Sequence, residues 1–371
     1  MRKRLAEHPR LVEAVLVSGF FTLVAIIATW PLTIKPFSGF YGFGNDAWGG
    51  INTFGWVHDA AFGKGSVSFN PELQAPFGYA LPVHAMQPAD WLFSFLFGGI
   101  RQGIVVQNAQ IFTSFQLSGI FMYLLAKRVT GSRSAAVVAG FLFTFSPFYL
   151  ALTQQYGALG SIQWLPLFGL ALLNALERPS PRHSYLAGAA LALIGLNSYY
   201  YLWFTVWFTA LLLIGYVIAM LIRELRVERR LRLSRVREFV SQWFFGGLRA
   251  GVVFAALFGP VALLTRQSID SAERGTITHP LFEAVRYSAR PWMLVLPPHD
   301  NPVLGRFTKD YVYRHLYSQP VYEQSIYIGV MLGVLCVIAL LPRGRVTLDP
   351  ETQAALVRTF GSGGEFEARR C

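Results

Sequence analysis

The feature that most constrains this chain is an alternation. Apolar runs long enough to cross hydrocarbon are separated by short connections rich in arginine and lysine. The first run covers residues 11–30, interrupted near its start only by Glu13. At about 20 residues it matches the thickness of a bilayer core. Met1-Arg2-Lys3-Arg4 precedes it, as in a secretory signal. No small-residue cleavage motif follows, so the run reads as a retained first helix. Further runs fall at 105–126, 134–150, 162–176, 185–196, 201–221, 251–264 and 325–341. The expected fold is therefore an all-α polytopic bundle of about eight transmembrane spans.

Composition agrees. The chain is 53% hydrophobic and 14% charged, against about 25% charged in soluble domains. Its net charge of +12 does not point to nucleic acid, because the cations sit in clusters between apolar runs. Cys336 lies in an apolar run and Cys371 is the last residue, so neither a disulfide framework nor a cysteine metal site is expected.

Residues 91–100 decide the topology. The segment is apolar but too short to cross, and suits a re-entrant or interfacial helix. With that reading, Lys127, Arg128 and Arg133, then Arg178 and Arg182, then the cluster from Arg223 to Arg237, then Arg343 and Arg345, all fall on one side. The positive-inside tendency makes that side cytoplasmic, N-terminus included. Residues 223–242 read as a basic cytoplasmic helix or hairpin held at anionic headgroups. Two external loops follow, at 31–103 and 266–323, within a membrane domain of residues 1–345. The polar tail 346–371, with Gly361-Ser362-Gly363-Gly364, is expected to be disordered. In the first loop, residues 47–62 are expected to form a surface helix anchored by Trp48, Ile51, Phe54 and Trp56.

The external face collects the residues that can carry chemistry. The first loop supplies Asp46, His58, Asp59, Glu72, His84 and Asp90. Turns between spans supply Gln154, Gln155 and Tyr156, then Asn197, Tyr199, Tyr200 and Tyr201. The late loop supplies Arg286, Arg290 and Arg306, with His299 and Glu323. Asp46 is the first acid beyond the first span, in the Gly- and aromatic-rich stretch Phe40-Tyr41-Gly42-Phe43-Gly44-Asn45-Asp46. A carboxylate there can take a proton from an acceptor hydroxyl as a sugar leaves a phosphate. Arginines offer paired hydrogen bonds to that phosphate, and Tyr and Gln suit a sugar surface. Each residue also has a plainer reading. Asp46 suits a turn or helix cap. His58 and Asp59 suit an interfacial helix, His84 a structural turn, the tyrosines an aromatic belt, and the arginines a solvated loop. A divalent metal on Asp46 with His58 or Asp59 stays open, although the ligand set is thin; no other cofactor is indicated. His-Glu-x-x-His, Walker A and Gly-x-Ser-x-Gly motifs are all missing from the sequence.

An ordered series of short motifs adds to this. It runs Thr29-Trp30-Pro31-Leu32, Gly44-Asn45-Asp46 with Trp56, Pro76-Phe77-Gly78, and Tyr123 to Ser132. It continues with Phe145-Ser146-Pro147, Gln163-Trp164-Leu165-Pro166-Leu167, Ser198 to Tyr201, Leu296-Pro297-Pro298-His299, and Glu323 to Gly329. Together these resemble bacterial GT-C-type membrane glycosyltransferase-like proteins, over most of the chain from Leu11 to Leu341. Asn45 here follows Gly44 where that family often reads Gly-Asp. The resemblance implies a polyprenyl-phosphate-linked sugar donor, an envelope lipid, glycan or protein acceptor, and transfer on the outer face of the plasma membrane. It also implies the first-loop acid, Asp46, as catalytic base. Two other classes remain in view: a transporter or flippase for a lipid-linked glycan or other anion, and a non-catalytic membrane assembly factor.

Overall fold

In the computed structural model the described residues are 9–43, 45–66, 69–72, 75–80, 88–90, 100–227, 233–272, 281–282, 285, 288, 290–297, 301, 303–311 and 326–340. They are overwhelmingly helical. Two compact units divide the chain, residues 1–328 and 329–371. The second contributes one described helix, Val330–Leu340, within the run expected at 325–341.

In the first unit α1 is Pro9–Ala28 and α2 is Asn45–Ala61. A two-residue hairpin follows, β1 (Phe69–Asn70) antiparallel to β2 (Tyr79–Ala80). Then come α3 (Ile100–Thr130), α4 (Arg133–Thr144), α5 (Pro147–Gln155), α6 (Trp164–Glu177), α7 (Pro181–Asn197), α8 (Tyr199–Val227) and α9 (Leu233–Ala272). The short α10 is Gly305–Tyr311. The segment 91–99 lies outside the described residues, and α3 begins just after it.

The long helices alternate in direction. Along α1 and α3, Glu13 meets Lys127, Thr22 meets Gln116 and Ala25 packs with Ile111 and Phe115, so the pair is antiparallel. Along α8 and α9, Tyr199 meets Phe258 and Tyr216 meets Trp243, again antiparallel. Close approach depends on small residues, as in other membrane bundles. Phe21 is fully buried because α3 and α4 present Gly119 and Gly140 to it. A Cβ on either would lie 2.1 or 2.6 Å from the Phe21 ring.

The solvation pattern is inverted relative to a soluble protein. Trp203, Phe208, Leu211, Phe244, Leu248 and Val252 are exposed on α8 and α9. Gln107, Gln110, Ser114, Ser118, Thr144 and Thr153 are buried. Large apolar surfaces facing outward and polar groups facing inward are what a hydrocarbon solvent selects. Among the described residues five helical stretches are long and apolar enough to cross a membrane: Pro9–Ala28, Gly103–Thr130, Arg133–Gln154, Tyr199–Ile222 and Val240–Leu263. By length and composition these helices suit a membrane protein.

Several expectations change. The run at 162–176 is a 14-residue apolar helix, and that at 185–196 lies in a helix of 17 residues; neither is among the five long apolar stretches. The run at 134–150 is not one straight helix. Pro147 has no N–H to continue α4, so Ser146 caps a new helix by accepting from the Tyr149 N–H at 3.3 Å. The described parts of the basic stretch 223–242 belong to the antiparallel pair α8 and α9, in keeping with the hairpin alternative. They continue α8 and begin α9, whose 40 residues extend well beyond the expected 251–264 run.

Candidate functional site

The site is built where α3 begins, and its first component is the segment that delivers Asp46. After α1 the chain turns through residues 29–43, and one side chain holds it. Asn108 Nδ2 donates to the Pro36 carbonyl at 3.0 Å and the Gly39 carbonyl at 2.8 Å. Its Oδ1 accepts from the Tyr41 N–H at 3.0 Å. The next residues dock on α5: the Phe43 N–H donates to the Gln154 carbonyl at 2.8 Å. Gly42 is required there, because it has φ of 118° and a Cβ would sit 2.4 Å from that same carbonyl oxygen. Tyr41 lays its ring edge-on to Phe115, centroids 6.0 Å apart. Burial raises its phenol above the ordinary range, opposed by hydrogen bonds with Gln154 and Thr153.

Asp46 then falls in the first turn of α2. Its side chain lies outside the described ones. A carboxylate at that position of a helix is favoured by the positive end of the macrodipole.

Three of the four residues expected to anchor α2 at an interface are turned inward. Ile51, Phe54 and Trp56 are buried, not interfacial anchors, and only Trp48 among the four is exposed. The reason is close packing on α3, where a Cβ on Gly103 would lie 2.4 Å from the Ile51 carbonyl. The Trp56 indole also donates to the Ser66 carbonyl at 2.9 Å, which turns it inward toward the hairpin.

Beneath this segment lies a buried network of uncharged groups. Ser114 Oγ is 2.7 Å from the Tyr149 hydroxyl, 2.6 Å from the Gly160 carbonyl and 2.7 Å from Gln163 Oε1. The Tyr149 hydroxyl donates to the same carbonyl at 2.8 Å. Gln110 Nε2 donates to Ser161 Oγ at 3.0 Å. The Tyr201 hydroxyl donates to the Leu159 carbonyl at 2.7 Å, tying α8 to the same turn. Gln107, 1% exposed, sits next to Gly50 of α2, and its Nε2 meets no described partner. A buried donor without an acceptor costs about 1–3 kcal/mol.

The other predicted residues are placed as follows. His58 Nδ1 is 3.3 Å from Asp59 Oδ1, and Lys64 Nζ is 3.1 Å from the same oxygen. Burial would raise the Asp59 carboxyl, but the bonds from Lys64 and His58 prevail and hold it below the usual aspartate range. Asp46 cannot share a metal with this pair. Twelve residues along one continuous helix separate Asp46 from His58 by about 18 Å. Among the described residues no group of three or more His, Cys, Asp or Glu side chains converges.

Tyr156 is half-buried at the end of α5. Gln155 closes that helix, with its side chain outside the described ones. Tyr199 stands edge-on to Phe258 at 5.6 Å, and Tyr200 is exposed. Arg290 places its guanidinium 5.7 Å from the Trp292 ring centroid, and the exposed Arg306 lies 4.6 Å from that of Phe307. His84, Arg286, His299 and Glu323 lie outside the described residues.

Sequence reasoning missed Asn108, Gln107, Gln110, Ser114, Tyr149 and Gln163. A signal existed: Gln107, Gln110, Ser114 and Ser118 recur at helical spacing on one face of an otherwise apolar span.

The arrangement offers neutral donors and acceptors beside a helix start that carries an acid. It suits ligands rich in hydroxyl groups more than ligands recognised by charge. No protein-family model matches the chain, and no curated protein matches it.

Proposed function

We propose that this protein is a membrane glycosyltransferase that moves a sugar from a polyprenyl-phosphate donor to an envelope lipid, glycan or protein. The observation that carries this reading is the double anchoring of the Asp46 segment, by Asn108 and by the Gln154 carbonyl, over buried neutral hydrogen-bonding groups. An acid that opens the helix following a segment so anchored suits a general base acting on a hydroxyl. The order of sequence motifs that resembles GT-C-type enzymes supports the same chemistry.

In this reading Asp46 accepts the acceptor's hydroxyl proton. The acceptor oxygen attacks the anomeric carbon from the face opposite the phosphate. The bond from that carbon to the phosphate oxygen breaks, and the electron pair leaves with the polyprenyl phosphate, so the anomeric centre inverts. Arg286, Arg290 and Arg306 are assigned to the leaving phosphate. Tyr199, Tyr200, Tyr156 and Gln155 are assigned to sugar hydroxyls. The basic end of the bundle faces the cytoplasm and the Asp46 end faces outward across a plasma membrane.

One observation favours a second reading. The α4–α5 break at Ser146-Pro147 is the kind of discontinuous helix that transporters place at substrate sites. Replacing Asp46 with Asn separates the two. A transferase loses turnover and retains its sugar-loaded lipid, whereas a transporter keeps moving its cargo. Unchanged transfer by the variant would end the transferase reading.

A further inference from the structure

We infer that the bundle end opposite Asp46 carries a binding site for an anionic phospholipid, in the groove between α1 and α4. The groove has a volume of about 460 Å³, within the range of about 300–1,000 Å³ typical of small-molecule sites. Val12, Leu16 and Val17 of α1 and Val137 of α4 form its walls, and Tyr123 of α3 contributes to its lining. Both walls belong to helical stretches long enough to span a membrane, so the molecule that reaches them comes from the bilayer.

The mouth is polar, and among the described residues its charge does not cancel. Glu13 accepts from Lys127, from the Tyr123 hydroxyl at 2.7 Å, and from Arg133 Nε at 2.9 Å. That is one carboxylate against two cations. Arg10, exposed one residue into α1, adds a third at the same end. The Arg133 side chain is 69% exposed, and among the described residues it bonds only through Nε. Its terminal nitrogens therefore remain to meet a phosphate. Arg133 also opens α4, whose first turn carries the positive end of a helix dipole. An acyl chain along Leu16 and Val137 with a phosphate at Arg133 satisfies both halves of the groove. The surplus of positive charge selects an anionic headgroup over a zwitterionic one. The assignment is independent of the transferase reading, since it uses none of the residues near Asp46.

The test is native mass spectrometry of the full chain in detergent, titrated with phosphatidylglycerol or phosphatidylcholine. The wild type is expected to retain phosphatidylglycerol preferentially. Arg133→Gln should weaken that binding about fivefold, the effect of one surface cation on an anionic lipid, while Arg133→Lys keeps most of it. Val137→Trp should abolish retention by filling the groove with every charge in place. Equal retention of the two lipids by the wild type would overturn the inference. So would unchanged binding by Val137→Trp, or equal loss in the Lys and Gln variants.

Discussion

The two ends of α3 solve the same problem with different chemistry. At its beginning, Gln107, Asn108, Gln110 and Ser114 are buried among hydroxyls, amides and backbone carbonyls, with no charged side chain among the described ones there. At its end, Lys127 and Arg128 are tied by ion pairs to Glu13 of α1 and Glu177 of α6, and Arg133 joins Glu13 from α4. Ion pairs near the aqueous border tolerate water and fix which helices meet. Neutral networks in a dry interior need every partner in place. The charged end thus reads as a clamp. The neutral end, with an amide of Gln107 that meets no described partner, reads as the place where a ligand's hydroxyls complete the structure.

The strongest way to break this comparison is at the neutral end. Asp46→Asn should lower transfer by about 10²–10⁴-fold, the range for losing a general base, with little change in stability. Assay of sugar transfer beside a thermal melt checks both halves. Next in size is Asn108→Ala, which strands two carbonyls and one N–H. At about 1 kcal/mol for each lost bond, the cost is about 3 kcal/mol. Hydrogen exchange should quicken across residues 36–43 and leave α8 and α9 unchanged.

At the charged end, Glu13→Gln leaves Lys127 and Arg133 facing each other. Arg133 is well exposed, so the loss is about 1–2 kcal/mol rather than that of a fully buried pair. A lower melting temperature with undiminished turnover per folded molecule is the expected pattern. Gln107→Leu sharpens the contrast, because it removes an unpaired buried donor of the same size. Stability should rise by about 1 kcal/mol while ligand affinity falls; a fall in both would make the amide structural.

The smallest effect concerns acid. The Asp59 carboxyl is held below the usual aspartate value of 3.8. Its folded pKa is depressed, so its contribution is present above pH 3.8 and is lost as pH falls through the folded value. Lys64 is largely exposed, which keeps the effect under about 1 kcal/mol. Acid melts of the wild type and Asp59→Asn should differ above pH 3.8 and converge as pH falls through the folded value.

Much of the helical framework is legible in sequence, because apolar runs and basic connections are set by the bilayer itself. The runs near 11–30, 105–126 and 201–221 correspond to long apolar helices. What is less legible depends on partners. Trp56 and Phe54 look interfacial in an isolated amphipathic pattern, and only packing on α3 and the bond to Ser66 turn them inward. The Asn108 clamp joins groups 67 to 72 residues apart, and no local pattern marks its carbonyl partners. The polar stripe from Gln107 to Ser118 was open to a periodicity argument, since 3.6-residue spacing alone places it on one face. The pairing of Asp46 with His58 fails on the same geometry, because a continuous helix carries the two apart.

Native mass spectrometry of wild type, Asp46→Asn and Glu13→Gln, each taken through a thermal ramp, tests the division between the ends most directly. The prediction is that Asp46→Asn holds a sugar-loaded polyprenyl phosphate at wild-type melting temperature. Glu13→Gln should melt earlier but carry the same polyprenyl lipid as the wild type. If Glu13→Gln changes the bound polyprenyl lipid, or Asp46→Asn carries none and melts early, the two ends do not divide the work as described.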